Sequence, residues 1–125
     1  MRVSIARALS VSPKIILMDE PFGALDEMTR DRLNEDLLEI RAREDFTAFF
    51  VTHSVAEAVF LSTKIVVLSA NPGRIHEIIP VDFSYPRGEA LRDKREFHEL
   101  VTRVSQTLRS VEEGAHSARE ESGKI

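Results

Sequence analysis

Cysteine is absent from this chain, and no apolar stretch approaches the roughly 20 residues that a membrane-spanning helix needs. The lack of cysteine excludes disulfides and thiolate metal sites, and it fits a reducing compartment. The first residues do not show the charged and then apolar order of a secretory signal. We therefore expect a soluble, cytoplasmic chain whose association with any membrane is peripheral.

An excess of positive charge is also lacking. The chain has 17 Lys and Arg against 21 Asp and Glu, a net charge of −4, and no basic run is longer than two residues. Because nucleic-acid binding needs clustered cations to neutralise phosphates, we expect no nucleic-acid partner. With 125 residues, of which 42% are hydrophobic, the chain is one domain or part of one. It can bury a core but has little surplus stability.

Hydrophobic periodicity predicts alternating helices and strands. The predicted helices cover 2–11, 27–43, the segment from just after His53 to 62, and 91–112, and the predicted strands cover 15–18, 48–51, 65–68 and 74–81. The segment 15–51 reads strand–helix–strand, which favours parallel strands with a right-handed crossover. A turn at 71–73 makes the last two strands a hairpin.

The pattern therefore indicates an α/β fold, with a mostly parallel sheet, flanking helices, and a C-terminal hairpin and helix. The predicted core face of the second helix consists of Leu33, Leu37 and Ile40. The predicted core face of the last helix consists of Phe97, Leu100, Val101, Val104, Leu108 and Val111. Residues 113–125 show no period, so we expect a domain over 1–112 followed by a disordered tail over 113–125.

Two adjacent carboxylates, Asp19 and Glu20, follow the first predicted strand. In α/β sheets, ligands bind at the carboxyl ends of strands. One acid there can hold a magnesium ion through its water shell, and the next can orient or deprotonate an attacking water. The alternative is purely structural, since acids are also common where strands become loops.

His53 follows the second predicted strand, as the two acids follow the first. Adjacent parallel strands would bring all three residues to one edge of the sheet. Taken alone, a histidine at a strand end is more often a satisfied loop residue. Asp26 has a structural explanation as the N-cap of the helix that begins at Glu27. A zinc or iron site made by Asp19, Glu20, Asp26 and His53 is a weaker alternative.

Two strings carry a family resemblance. Residues 17–26, Leu-Met-Asp-Glu-Pro-Phe-Gly-Ala-Leu-Asp, resemble a Walker B motif followed by a D-loop, and residues 49–58, Phe-Phe-Val-Thr-His-Ser-Val-Ala-Glu-Ala, resemble an H-loop. From Arg2 to about Leu108 the chain resembles the C-terminal half of an ABC transporter ATP-binding subunit. Residues 68–75 and 91–97 are similar to the importers of nitrate, sulfonate and taurine. The resemblance implies part of a P-loop NTPase domain.

The resemblance also implies roles, cofactors and partners. Glu20 would be the catalytic base, Asp19 would hold Mg²⁺ through water, His53 would contact the γ-phosphate of ATP, and Asp26 would cross a dimer interface to the partner's nucleotide site. The implied partners are transmembrane permease subunits and a second ATPase subunit packed head to tail. The implied location is cytoplasmic and peripheral, on the inner face of the cell membrane.

The family's phosphate-binding loop, Gly-x-x-x-x-Gly-Lys-[Ser/Thr], does not occur in this sequence. The family's Q-loop and Leu-Ser-Gly-Gly signature lie upstream of the matching segment, so we expect a fragment that is inactive in isolation. One alternative is a non-catalytic interaction fragment that pairs with another ATPase chain. Another is an ABC-type ATPase of DNA maintenance, which the missing basic stripe and the string Asn-Pro-Gly-Arg-Ile at 71–75 disfavour.

Overall fold

The computed structural model describes residues 14–70 and 73–122, so the helix predicted over 2–11 lies outside the described residues. The elements are β1 (Ile15–Asp19), α1 (Glu27–Arg43), β2 (Thr47–Val51), α2 (Val55–Leu61), β3 (Lys64–Ser69), β4 (Arg74–Pro80), α3 (Glu89–Arg92) and α4 (Arg95–Ser122). The predicted strands and helices within the described range are all present. The short helix α3 was not predicted as a separate element, because the sequence pattern indicates one continuous helix over 91–112.

The strands β1 and β2 pair in parallel, in register from Ile15 opposite Thr47 to Asp19 opposite Val51. The helix α1 connects them, which confirms the predicted strand–helix–strand unit. The strands β3 and β4 form an antiparallel hairpin, as predicted, with an irregularity between Val67 and Leu68. The described strands therefore make two separate two-stranded sheets, and the expected mostly parallel sheet is found only in part. Only four residues separate β3 from β4, and a connection this short can join only antiparallel strands. The predicted turn at 71–73 lies partly outside the described residues.

Two hydrophobic clusters form the core. The smaller one lies between the β1–β2 sheet and α1 and contains Ile16, Met18, Phe22, Leu37 and Phe46. The larger one lies between α2, the hairpin and α4, and it includes all six residues of the predicted core face of α4. Leu37 is buried, and Leu33 and Ile40 pack against the smaller cluster, as predicted for α1. The buried Asn34 on the same helix was not predicted.

The last helix is longer than the sequence pattern predicted. It runs from Arg95 to Ser122, so the disordered tail expected from residue 113 is wrong for 113–122. The disordered tail was expected because apolar residues at helical spacing end at Val111. A helix nevertheless propagates through local backbone hydrogen bonds, and the Ala, Glu and Arg residues of this segment favour it.

The C-terminal end of α2 is closed by the guanidinium of Arg87, which lies in the connector between β4 and α3. Arg87 is buried, and its Nη1 donates to the carbonyls of Phe60 at 2.9 Å and Ser62 at 2.8 Å. Its Nη2 donates to the carbonyl of Phe83 at 2.7 Å. Burial lowers the pKa of Arg87 from its ordinary value. The Arg87 side chain thus links the C-terminal end of α2 to the connector between β4 and α3.

In the described part of the chain, each sheet has one exposed apolar face. On β1–β2, Ile15, Leu17, Phe49 and Val51 are 66%, 72%, 60% and 47% exposed, and the register places them on one side of the sheet. We call this side of the β1–β2 sheet, on which Asp19 also lies, the outer face. On the hairpin, Val66, Leu68, Ile75 and Ile78 are also exposed. Among the described residues, no helix is both long and apolar enough to cross a membrane.

We predict that Arg87→Ala lowers the free energy of unfolding by about 3 kcal/mol, because it leaves buried carbonyls without their charged donor. Urea denaturation followed by circular dichroism measures the change. Arg32→Ala, at an exposed position in the middle of α1, is the matched control and should stay within about 0.5 kcal/mol of the parent. Equal stability of the two variants would contradict the capping role of Arg87.

We predict that the chain self-associates through the outer face, since exposed apolar patches of this kind promote association. Leu17→Lys combined with Phe49→Glu places an opposite-charge pair across the strands and should shift the chain toward the monomer. Size-exclusion chromatography with light scattering measures the mass. Met28→Lys changes a residue that is 79% exposed on α1 and should leave the mass unchanged. A parent chain that is monomeric at all concentrations tested would refute the prediction.

Candidate active site

The ends of β1 and β2 are held together by the backbone. The amide of Glu20 donates to the carbonyl of Val51 at 2.8 Å, so the pairing continues one residue past β1. Glu20 has φ of 44°, a left-handed conformation that is uncommon for a residue with a side chain. Beyond it, the amide of Gly23 bonds the carbonyl of Glu20, and the amide of Leu25 bonds that of Phe22. The chain therefore leaves the strand abruptly at Glu20.

The side chains of Glu20 and His53 meet at these strand ends. The Oε1 atom of Glu20 lies 3.3 Å from the Nε2 atom of His53. The two side chains are 41% and 91% exposed, so the pair is open to solvent. This proximity is what the parallel strands predicted. The pair combines a carboxylate, which accepts protons, with an imidazole, which can donate one.

The segment after β2 is fixed by two hydrogen bonds from the backbone. The amide of Ser54 donates to Oγ1 of Thr52 at 3.0 Å, and the amide of Glu57 donates to Oγ of Ser54 at 3.3 Å. Ser54 is thus the N-cap of α2. His53 lies between Thr52 and Ser54, so these hydrogen bonds hold its backbone in place.

A cavity of about 220 Å³ adjoins the pair and is lined by Glu20, Gly23, Arg30, Thr52, His53, Ser54 and Glu57. The other two predicted site residues do not line it. Asp19 is exposed. Successive strand residues point to opposite sides of the sheet, so Asp19 lies on the outer face, opposite the buried Ile16 and Met18. Asp26 is the exposed N-cap residue of α1, and its side chain makes no capping hydrogen bond. The structure therefore brings together two of the four predicted residues.

Two charged residues that line this cavity, Arg30 and Glu57, were not predicted as site residues. Arg30 donates from Nη2 to the carbonyl of Leu25 at 3.1 Å, and its buried Nε has no partner among the described residues. Glu57 is only 5% exposed, and its Oε2 also has no partner there. A signal for Arg30 exists, because helical side chains lean toward the helix N-terminus and reach the preceding turn. Nothing in the sequence indicates that Glu57 is buried.

The donor set fits magnesium better than zinc or iron. Asp19 offers an exposed carboxylate at a strand end, and one carboxylate suffices for Mg²⁺, which usually keeps several waters. Zinc would need several protein ligands at once. Within residues 14–70 and 73–122, no three His, Asp or Glu side chains converge on a possible metal position. The alternative zinc or iron site is therefore not formed.

Comparison with known proteins gives several relatives, and no protein-family model matches the chain. The chain is 50% identical to an ABC transporter ATP-binding protein of Methanocaldococcus jannaschii over 103 residues. These residues are 82% of this chain and 39% of that protein. It is 49% identical over 105 residues to the aliphatic sulfonates import ATP-binding protein SsuB of Bacillus anthracis, with 84% and 41% covered. An ATP-binding protein of Brucella melitensis biotype 1 is 50% identical over 103 residues, with 82% and 44% covered. The chain thus spans less than half the length of these relatives.

We predict that Ser54→Ala lowers the free energy of unfolding by about 1 kcal/mol, because the amide of Glu57 loses its capping acceptor. Urea denaturation measures the change. Ser84→Ala removes the same hydroxyl from an exposed position of the connector and should have no measurable effect. If Ser54→Ala matched that control, Ser54 would not be stabilising α2.

Proposed function

This chain is homologous to the ATP-binding proteins of ABC transporters, and we propose that it supplies the hydrolytic part of the ATP site in an importer subunit. The observation that carries the proposal is the contact between Glu20 and His53, 3.3 Å apart at the ends of adjacent parallel strands. Both side chains line a solvent-open cavity beside the turn that contains Gly23. A carboxylate and an imidazole in this arrangement suit hydrolysis of a phosphoanhydride.

Each residue has one role in the proposal. Glu20 accepts a proton from, or orients, the attacking water, since it is the carboxylate that reaches the cavity. His53 donates a hydrogen bond to the transferred phosphoryl group and stabilises the charge that develops there. Asp19 would hold Mg²⁺ through water, and the ion would neutralise negative charge on the phosphates. Asp26, exposed at the start of α1, contacts a second ATPase subunit.

The partners and the location follow from the proposed family role. We propose transmembrane permease subunits and a second ATPase subunit packed head to tail, with the chain on the cytoplasmic face of the membrane and no nucleic-acid partner. The proposed solutes are anions of the nitrate, sulfonate or taurine kind. Relatives named as aliphatic sulfonates import proteins, such as SsuB of Bacillus anthracis, support this choice. The 125-residue chain alone is proposed to be inactive, because its sequence contains no Gly-Lys-[Ser/Thr] loop for the phosphates.

A second candidate function is favoured by the outer face. Ile15, Leu17, Phe49 and Val51 form an apolar surface that a partner chain would cover. In that case the segment is a non-catalytic fragment that pairs with another ATPase chain. The two candidates differ in what Glu20 does, since only the first requires its carboxylate for turnover.

We predict that Glu20→Gln, in a full-length subunit that carries this segment, lowers ATP hydrolysis by about 10²–10⁴-fold while ATP binding persists. The amide keeps the size of the side chain but cannot accept the proton. Removing a charge near the phosphates should also prolong the ATP-bound dimer. Asp19→Asn should weaken nucleotide retention as well as turnover, because it alters the magnesium contact. Turnover, nucleotide affinity and dimer lifetime are measured for both variants.

Glu44→Gln is the matched control, because it removes a carboxylate at an exposed position after α1. Turnover by this variant should equal that of the parent subunit. Near-normal hydrolysis by Glu20→Gln would remove the proposed catalytic role and would favour the interaction fragment.

A further inference from the structure

A second cavity, of about 260 Å³, lies between α1, α2 and the start of α4. Its walls include Glu27, Asp31 and Asn34 from α1, and Glu57 and Phe60 from α2. It is smaller than the pockets of roughly 300–1,000 Å³ that hold drug-sized ligands. A cavity of this size has room for a small polar group.

Two lining side chains carry buried oxygen atoms without partners. Among the described residues, neither Oδ1 of Asn34 nor Oε2 of Glu57 accepts a hydrogen bond. Asn34 is 1% exposed and Glu57 is 5% exposed, so bulk water does not compensate for the missing bonds. Buried polar groups are normally paired, and an unpaired buried carboxylate is especially costly. Both side chains can therefore accept a hydrogen bond from a group bound beside them.

The nearby cations do not fill this need. Arg92 lines the cavity, but its Nη1 lies 2.6 Å from Oε1 of Glu35 and its Nη2 donates to the carbonyl of Asp31 at 3.0 Å. Its guanidinium also stacks on the ring of Phe60, 3.9 Å from the centroid. His98 lines the cavity from an exposed position on α4. Asp31 lies 3.7 Å from Nε of Arg92, and the carboxylates of Glu27 and Glu57 also line the cavity.

We propose that this cavity binds a guanidinium group, with Glu57 and Asn34 as its acceptors. A guanidinium carries five donors in a planar fork and can serve two oxygen atoms at once. The group can come from a free small cation or from an arginine side chain of a partner protein. In the described part of the chain no three ligating side chains converge, which argues against a metal ion here.

Glu57 also lines the cavity that contains Glu20 and His53. A guanidinium bound to Glu57 neutralises a carboxylate in the wall of that candidate active site. The two cavities therefore share one titratable side chain. The proposal itself does not depend on ATP hydrolysis, and its test uses no nucleotide.

The test titrates the purified 125-residue chain with ethylguanidinium chloride, followed by heteronuclear NMR. Ethylurea, its neutral counterpart of the same shape, and sodium chloride at equal ionic strength are the ligand controls. We expect saturable shifts of the amide signals of Asn34 and Glu57 with ethylguanidinium alone. N-acetylarginine amide is titrated in parallel, because tighter binding of this compound identifies a protein side chain as the source, and weaker binding identifies a free cation.

Glu57→Gln should weaken the binding by about tenfold or more, since the charge-assisted hydrogen bond is replaced by one to a neutral amide oxygen. The backbone amide at position 57 still donates to Oγ of Ser54 in this variant, so the N-cap of α2 is retained. Glu39→Gln, at an exposed position of α1, should bind like the parent chain. Equal shifts with ethylurea, absence of saturation, or unchanged affinity in a folded Glu57→Gln chain would overturn the proposal.

Discussion

The parallel pairing of β1 with β2 is the constraint on which the candidate active site depends. Ile16 and Met18 are buried against α1, and this fixes which side of β1 faces the core. A slip of one residue would turn these side chains outward, so burial specifies the register. The register in turn places the amide of Glu20 on the carbonyl of Val51 and brings Glu20 beside His53.

The helix α2 links this site to the second half of the chain. It has seven residues, which is too short for a helix to be stable alone in water. Ser54 caps its first turn, and Arg87, far along the chain, binds the carbonyls at its end. Val59 and Phe60 anchor it in the larger core. The position of His53 therefore depends on contacts made by the hairpin, the connector and α4.

Among the described residues, the buried side-chain polar atoms without a partner belong to residues that line the two cavities. Arg30 lines the cavity of Glu20 and His53, Asn34 lines the second cavity, and Glu57 lines both. The core clusters elsewhere are apolar. Polar groups left unpaired where cavities open are expected of binding sites, because a ligand can supply the missing partners. This distribution supports a functional rather than a purely structural interpretation of the region.

The sequence by itself determined the elements, their order and most of their core faces, because hydrophobic periodicity and capping residues act over a few neighbouring positions. It also placed Glu20 and His53 at the ends of two strands. Parallel pairing of these strands then brings the two side chains together. Only the tertiary structure decided that Asp19 lies on the outer face, that β3 and β4 form a separate sheet, and that Arg30 and Glu57 enter the site. These outcomes depend on which helix covers which sheet face, and that packing joins residues far apart in the chain.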